Sequence, residues 1–285
     1  MFLTKFKPYS LALFRVSIGI SLLLLFIQYT PNWNDFFSRN GILSINNSDI
    51  EMCSGYNLSI FYWTESIIHV QYFLLIGIIF SISFTLGLFT RLSTLVLYIL
   101  ILSMVNRNPT ISAGYEGVLR TLLFFSLFTP LNYYFSIDRF FKKQNKELPL
   151  IWPVRLMQIH FASIYVLTAL YKLLADKAWL TGDAMYWILI NNQWSVFPYP
   201  ELLYKFDGLL SKILTYGTLL IELLFPLLVW FKKTVFPILF ITLIFHIIIG
   251  ICIPDVIIFS IVMISAFWLF VPDEVTRKMF RLNHE

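Results

Sequence analysis

Residues 235–253 read VFPILFITLIFHIIIGICI. The stretch holds no Asp, Glu, Lys or Arg, and His246 is its one imidazole. A hydrocarbon core about 30 Å thick takes roughly 20 such residues at about 1.5 Å of helical rise each. Lys232 and Lys233 precede the stretch, and Pro254-Asp255 follow it. It therefore reads as a helix crossing a bilayer.

Working outward, similar apolar runs lie at 10–29, 67–88, 90–106, 114–135, 152–174, 213–231 and 256–271. The expected fold is all-α, a polytopic transmembrane helical bundle of about eight spans. The composition agrees. The 285 residues are 58% hydrophobic and 13% charged, against about 45–50% and about 25% in soluble domains. This excludes a soluble enzyme, a disordered tail and a disulfide-stapled secreted domain. No short-period repeat or low-complexity linker divides the chain, so residues 1–285 read as a single domain.

The net charge is +5. A basic balance points to nucleic acid only where it forms a patch on a soluble face. Here the charges lie between apolar runs, so they read as orientation, and no nucleic-acid partner is expected. With the N-terminus inside, 12 of the 21 Lys and Arg fall in inside segments and 5 in outside segments. The other four, Arg15, Arg120, Arg155 and Lys172, lie within or at the ends of spans. This arrangement puts both termini in the cytoplasm and the connections 30–66 and 175–212 outside. Lys5 and Lys7 before the first run resemble a secretion signal. Its length, Arg15 and the lack of a small-x-small site read instead as a retained helix. In the second outer connection, Gly182 precedes DAMYWILINN (183–192), which is expected to form a short interfacial helix.

Ionisable groups inside spans are costly and mark partners or function. Glu116 and Arg120 stand four apart and share a helix face. They read as an intrahelical ion pair or as a substrate anchor. Asn106-Arg107-Asn108-Pro109 before them is a polar turn placed to cap a site. Gln158, Tyr165, Thr168 and Lys172 fall within about 80° of arc on one helix. This polar stripe is expected to face the bundle interior. A desolvated lysine can serve as a base, while a lysine near a span end can also snorkel to the interface. His160 lies about 18 Å along the same helix from Lys172, so the two form no direct dyad there. Glu222 follows Thr218, and His246 follows Thr242, each at four residues. Each reads as a relay group or a helix–helix hydrogen bond. His160, Glu222 and His246 have no metal-site spacing, and no metal is expected. Hydrolase-elbow, zincin and nucleotide-loop motifs do not occur. Cys53 and Cys252 both fall on the outer side, where a disulfide or free thiols are possible.

Several stretches together resemble one family. They are Leu11-Ala12-Leu13-Phe14-Arg15, Leu86-Gly87-Leu88-Phe89-Thr90-Arg91, Asn106-Arg107-Asn108-Pro109 with Gly114 to Leu123, Tyr171-Lys172-Leu173-Leu174 with Trp179, Gly182, Ala184, Met185 and Tyr186, and Phe245-His246. The resemblance is to the HTTM superfamily, the horizontally transferred transmembrane domain. It includes vitamin K-dependent gamma-carboxylases and SdpB-like proteins that help to mature secreted peptide toxins. The resemblance implies that Lys172 is a base that deprotonates a membrane quinol (vitamin K-like) and that His160 assists. The carboxylases also carry a large extracytoplasmic C-terminal region for the substrate propeptide. The short chain after the last run points instead to the SdpB-like size class.

The expected function is a multi-pass protein of the cell membrane, by resemblance a bacterial inner membrane, which modifies an exported peptide at the outer face. Lys172 and His160 are the expected catalytic residues. Arg107, Glu116, Arg120, Tyr165, Glu222 and His246 are expected to line the substrate cavity. The alternative is a non-enzymatic partner, an assembly or immunity protein of a secreted peptide-toxin system.

Overall fold

The computed structural model describes residues 9–43, 59–63, 67–111, 114–141 and 150–280. Among these, the regular elements are helices and no strand occurs. The longer helices and short connecting helices are α1 (Tyr9–Tyr29), α2 (Trp33–Phe37), α3 (Ile67–Leu86), α4 (Thr90–Arg107), α5 (Tyr115–Ser126), α6 (Asp138–Phe141), α7 (Trp152–Ala175), α8 (Lys177–Thr181), α9 (Ala184–Ile190), α10 (Lys205–Leu228), α11 (Val235–Cys252), α12 (Ile257–Ala266) and α13 (Asp273–Met279). The chain divides into two compact units, residues 1–154 with 276–285, and residues 155–275.

In the first unit, α1 packs on α3, α3 on α4, and α4 on α5. The core stripe of α1 is Leu11, Phe14, Ile18, Leu22 and Leu25, all buried. Their spacing of three and four keeps them on one helix face. Gly19 lets α3 approach closely, because a Cβ there would fall 2.2 Å from Thr85 Oγ1. The turn between α3 and α4 bends through left-handed Gly87 and Phe89, with φ of 69° and 46°. Asp138 caps α4 from outside the helix. Its carboxylate accepts from the backbone N–H of Phe89 and Thr90 at 2.7 and 2.9 Å, and from Thr90 Oγ1 at 2.8 Å. A carboxylate satisfies the free amides of a helix N-terminus and matches its dipole.

Arg15, from the first apolar run, lies fully buried beside this turn. Its guanidinium donates to the carbonyls of Leu131 at 2.6 Å and Tyr134 at 3.3 Å, and to that of Phe135. The charge that stood out inside a span therefore binds the backbone of the 131–135 turn.

Among the described residues, five helices are long and apolar enough to cross a membrane, namely 9–37 taken together, 68–86, α7, α10 and α11. The pair 254–269 and 273–279, bent by 102°, makes a sixth if counted as one span. The expectation of about eight spans meets two differences. Run 90–106 forms the full helix α4, but Arg91, Asn106 and Arg107 dilute its apolar character. Run 114–135 is helical only over the 12 residues of α5, about 18 Å of rise. Pro130 disfavours helix in Thr129 before it, and turns occupy the rest of the run.

In the second unit, α10 packs on α11 and α11 on α12, while α9 lies against α10. Long side chains tie α7 to these helices. Phe161 and Tyr165 of α7 reach Phe225 of α10 with ring centroids 6.0 and 4.2 Å apart. Gln158 donates to the Leu269 carbonyl. The expected short helix in 183–192 is α9. Left-handed Gly182, with φ of 88°, closes α8 before it.

Candidate site in the second unit

The polar stripe of α7 turns toward α10 and α11. Gln158 and Tyr165 are buried, and Lys172 keeps 23% of its side-chain exposure. Thr168 is exposed but still lines the cavity, which opens beside it. Lys172 Nζ is ion-paired with Glu222 Oε1 of α10. It also lies 4.6 Å from the centroid of the Trp179 ring. A cation over an indole face is attracted by the ring quadrupole. Lys172 thus enters the protein rather than reaching to the interface.

A second polar pair stands in the same cavity. The Tyr165 hydroxyl and His246 Nε2 are 2.9 Å apart, joining α7 to α11. Rings of Phe245, Phe259 and Phe267 surround the imidazole at 5.3–6.1 Å. The cavity encloses about 220 Å³, with Lys172, Glu222, Tyr165 and His246 among its lining residues. Its other walls are largely apolar, including Ile164, Ile188 and Met263. Two buried atoms there, Glu222 Oε2 and His246 Nδ1, have no protein partner. Proton exchange among an amine, a carboxylate, a phenol and an imidazole is the chemistry this arrangement permits.

The Trp179 wall is built by polar residues of α10. The Gly182 carbonyl accepts from Ser211 Oγ and Thr215 Oγ1, both at 3.0 Å. The same two hydroxyls accept from the first amides of α9, Tyr186 and Met185, each at 3.1 Å. Asp176 caps α8 by accepting from the Ala178 N–H at 2.8 Å. Together these bonds fix the bend between α8 and α9, which sets Trp179 over Lys172. Ser211 and Thr215 are functional positions outside the polar stripe of α7 and the residues expected to line the site. The signal was present, since Ser211, Thr215, Thr218 and Glu222 follow helical spacing within about 60° of arc.

Other expected site residues lie elsewhere. His160 is half-buried on α7, and its carbonyl accepts from Ser163 Oγ at 2.7 Å; it does not line the cavity. Arg107, Glu116 and Arg120 belong to the first unit. Arg107 donates from Nε to the Phe37 carbonyl at 3.2 Å, and from its terminal nitrogen to Ser38 and to Leu43 at 2.7 Å. Asn108 Nδ2 donates to the Phe36 carbonyl at 3.2 Å. The Asn106–Pro109 turn therefore ties down the end of α2 and the segment after it. Buried Glu116 accepts from the Tyr29 hydroxyl at 3.0 Å. Arg120 is partly exposed one turn further along α5. Cys252 is a free, partly buried thiol, and Cys53 lies outside the described residues. Among the described residues, no group of three His, Cys, Asp or Glu side chains is placed to hold a metal ion.

Several helices long and apolar enough to cross a membrane define a multi-pass helical membrane protein. The HTTM domain model matches residues 4–274. The chain belongs to the HTTM family. No curated protein and no solved structure matches it.

Proposed function

We propose that this HTTM protein modifies an exported peptide at the outer face of the membrane, with Lys172 as the base. The ion-paired lysine in an apolar-walled cavity supports this reading most directly. Glu222, paired with Lys172, can take the ammonium proton and leave the free amine that a base requires. Glu222 is then neutral, and the total proton count is unchanged. A membrane quinol is the proposed cofactor, and it would supply an acidic hydroxyl to the amine. Glu222 Oε2 and His246 Nδ1 fit such a hydroxyl-bearing head. Tyr165 orients His246 through their hydrogen bond.

The test expresses the protein together with its neighbouring genes and compares the exported peptides by mass spectrometry. The wild type is expected to yield a mass shift that Lys172→Ala abolishes. An identical peptide from both would contradict the role of Lys172. The proposed orientation places Asn192 outside. In a Cys53→Ser/Cys252→Ser background, Asn192→Cys is expected to react with an impermeant maleimide in intact cells. Labelling only after lysis would reverse the orientation.

A second reading is a non-enzymatic membrane partner of a secreted peptide toxin. The same ion pair favours it, because Lys172 and Glu222 also join α7 to α10 as a structural tie. Toxin resistance that persists in the double variant Lys172→Met/Glu222→Leu, which removes the charges and keeps the fold, would support that reading.

A further inference from the structure

α3 is long and apolar enough to cross a membrane and ends at Leu86, so the turn into α4 lies at a bilayer surface. Residues 135–141 are fastened against that turn. The Ile137 N–H donates to the Leu86 carbonyl at 3.1 Å, and the Asp138 N–H to that of Gly87 at 2.9 Å. Asp138 turns its carboxylate to the first amides of α4, and Arg15 holds the Phe135 carbonyl. This fixed segment nevertheless leaves Phe140 87% and Phe141 78% exposed. A cavity of about 430 Å³ opens beside it, walled by Leu86, Phe135, Ile137, Phe140 and Arg139 among others. The Arg139 guanidinium lies 5.4 Å from the centroid of the Tyr134 ring.

We infer that this cavity binds an anionic phospholipid. It joins a guanidinium to apolar walls at the level where lipid headgroups meet their chains. A phosphodiester carrying an acyl chain matches both halves. The guanidinium fork donates to phosphate oxygens, and the chain lies along Leu86, Phe135 and Ile137. Phe140 and Phe141, held outward, enter the same boundary layer, as apolar rings do at membrane surfaces. The surrounding charge selects an anionic head. Arg91 is exposed in the first turn of α4. In the sequence, Lys142, Lys143 and Lys146 follow Phe141, against Glu147 alone over residues 142–147. Basic residues beside an anionic leaflet contribute about 1 kcal/mol each. A zwitterionic head leaves that surplus uncompensated, and free phosphate leaves the apolar walls bare. The site's residues belong to the first unit and share none with the Lys172 cavity.

The test is native mass spectrometry of the purified full chain in detergent. The probes are dioleoyl phosphatidylglycerol, dioleoyl phosphatidylcholine and inorganic phosphate. Phosphatidylglycerol is expected to bind more tightly than phosphatidylcholine and to stay bound in excess inorganic phosphate. Arg139→Gln is expected to weaken phosphatidylglycerol binding about fivefold or more, equivalent to about 1 kcal/mol. Phe140→Glu is expected to weaken it at least as much, because a carboxylate then faces the phosphate from the apolar wall. Phe140 is largely exposed, so this second variant serves if Arg139→Gln does not fold. Lys232→Gln/Lys233→Gln changes the basic pair before α11 and is expected to bind as the wild type does. Three results would overturn the inference. They are equal binding of the two lipids, wild-type binding of phosphatidylglycerol by folded Arg139→Gln or Phe140→Glu, and displacement of the lipid by inorganic phosphate. The last would leave a site for the free anion only. No peptide is needed for this measurement, so its outcome is independent of the role proposed for Lys172.

Discussion

Glu222→Ala is expected to unfold well below the wild type. Removing one partner of a buried ion pair strands the other charge, at about 3–5 kcal/mol. Lys172 keeps 23% of its side-chain exposure and Glu222 8%. Water therefore screens part of the stranded ammonium, and about 2–4 kcal/mol is expected. At about 2–4 °C per kcal/mol, the unfolding temperature in detergent should fall by roughly 5–15 °C. The double variant Lys172→Met/Glu222→Leu removes both charges while keeping much of the volume. It should recover to within about 1 kcal/mol of the wild type, because the desolvation penalty disappears with the attraction. A single variant as stable as the wild type would show that the pair does not hold α7 to α10.

Arg15→Met is expected to have a comparable effect in the first unit. Arg15 is fully buried, and its guanidinium serves three carbonyls between Leu131 and Phe135. A buried acceptor left without a partner costs about 1–3 kcal/mol. Relaxation of the turn recovers part of the sum, so about 3–5 kcal/mol is expected. Arg15→Lys should rescue little, because an ammonium cannot span three carbonyls as the guanidinium fork does. The position beside Gly87 also limits adjustment, since a Cβ at Gly87 would lie 2.8 Å from Arg15 Cζ. Thermal unfolding followed by tryptophan fluorescence reads the change. Unfolding unchanged in Arg15→Met would remove the guanidinium from the account of this turn.

The sequence made the helical class legible because an apolar run of membrane length has few other uses. It also exposed the α7 stripe, since Gln158, Tyr165 and Lys172 follow one helical period. The short helix after Gly182 was visible in the same way. Partners set by tertiary packing were hidden. Arg107 binds carbonyls 64–70 residues away, and Glu116 binds a tyrosine 87 residues away. No local spacing encodes such pairs. The eight expected spans and the five or six candidate spans among the described residues differ for a related reason. Hydropathy marks 114–135 as one run, but its later residues form the turn that Arg15 fastens. Their spacing from Thr242 and Thr218 marks His246 and Glu222 each as a helix–helix or relay group. Only the packing of α7 against α10 and α11 identifies Tyr165 and Lys172 as their partners.

The most direct measurement is the mass of the exported peptide made by the double variant Lys172→Met/Glu222→Leu. Its stability should match the wild type, so folding drops out of the comparison. The account predicts a protein present in the membrane at wild-type level and a peptide with no mass shift. A peptide carrying the full wild-type shift would contradict it, because the chemistry would then proceed without the lysine or its carboxylate.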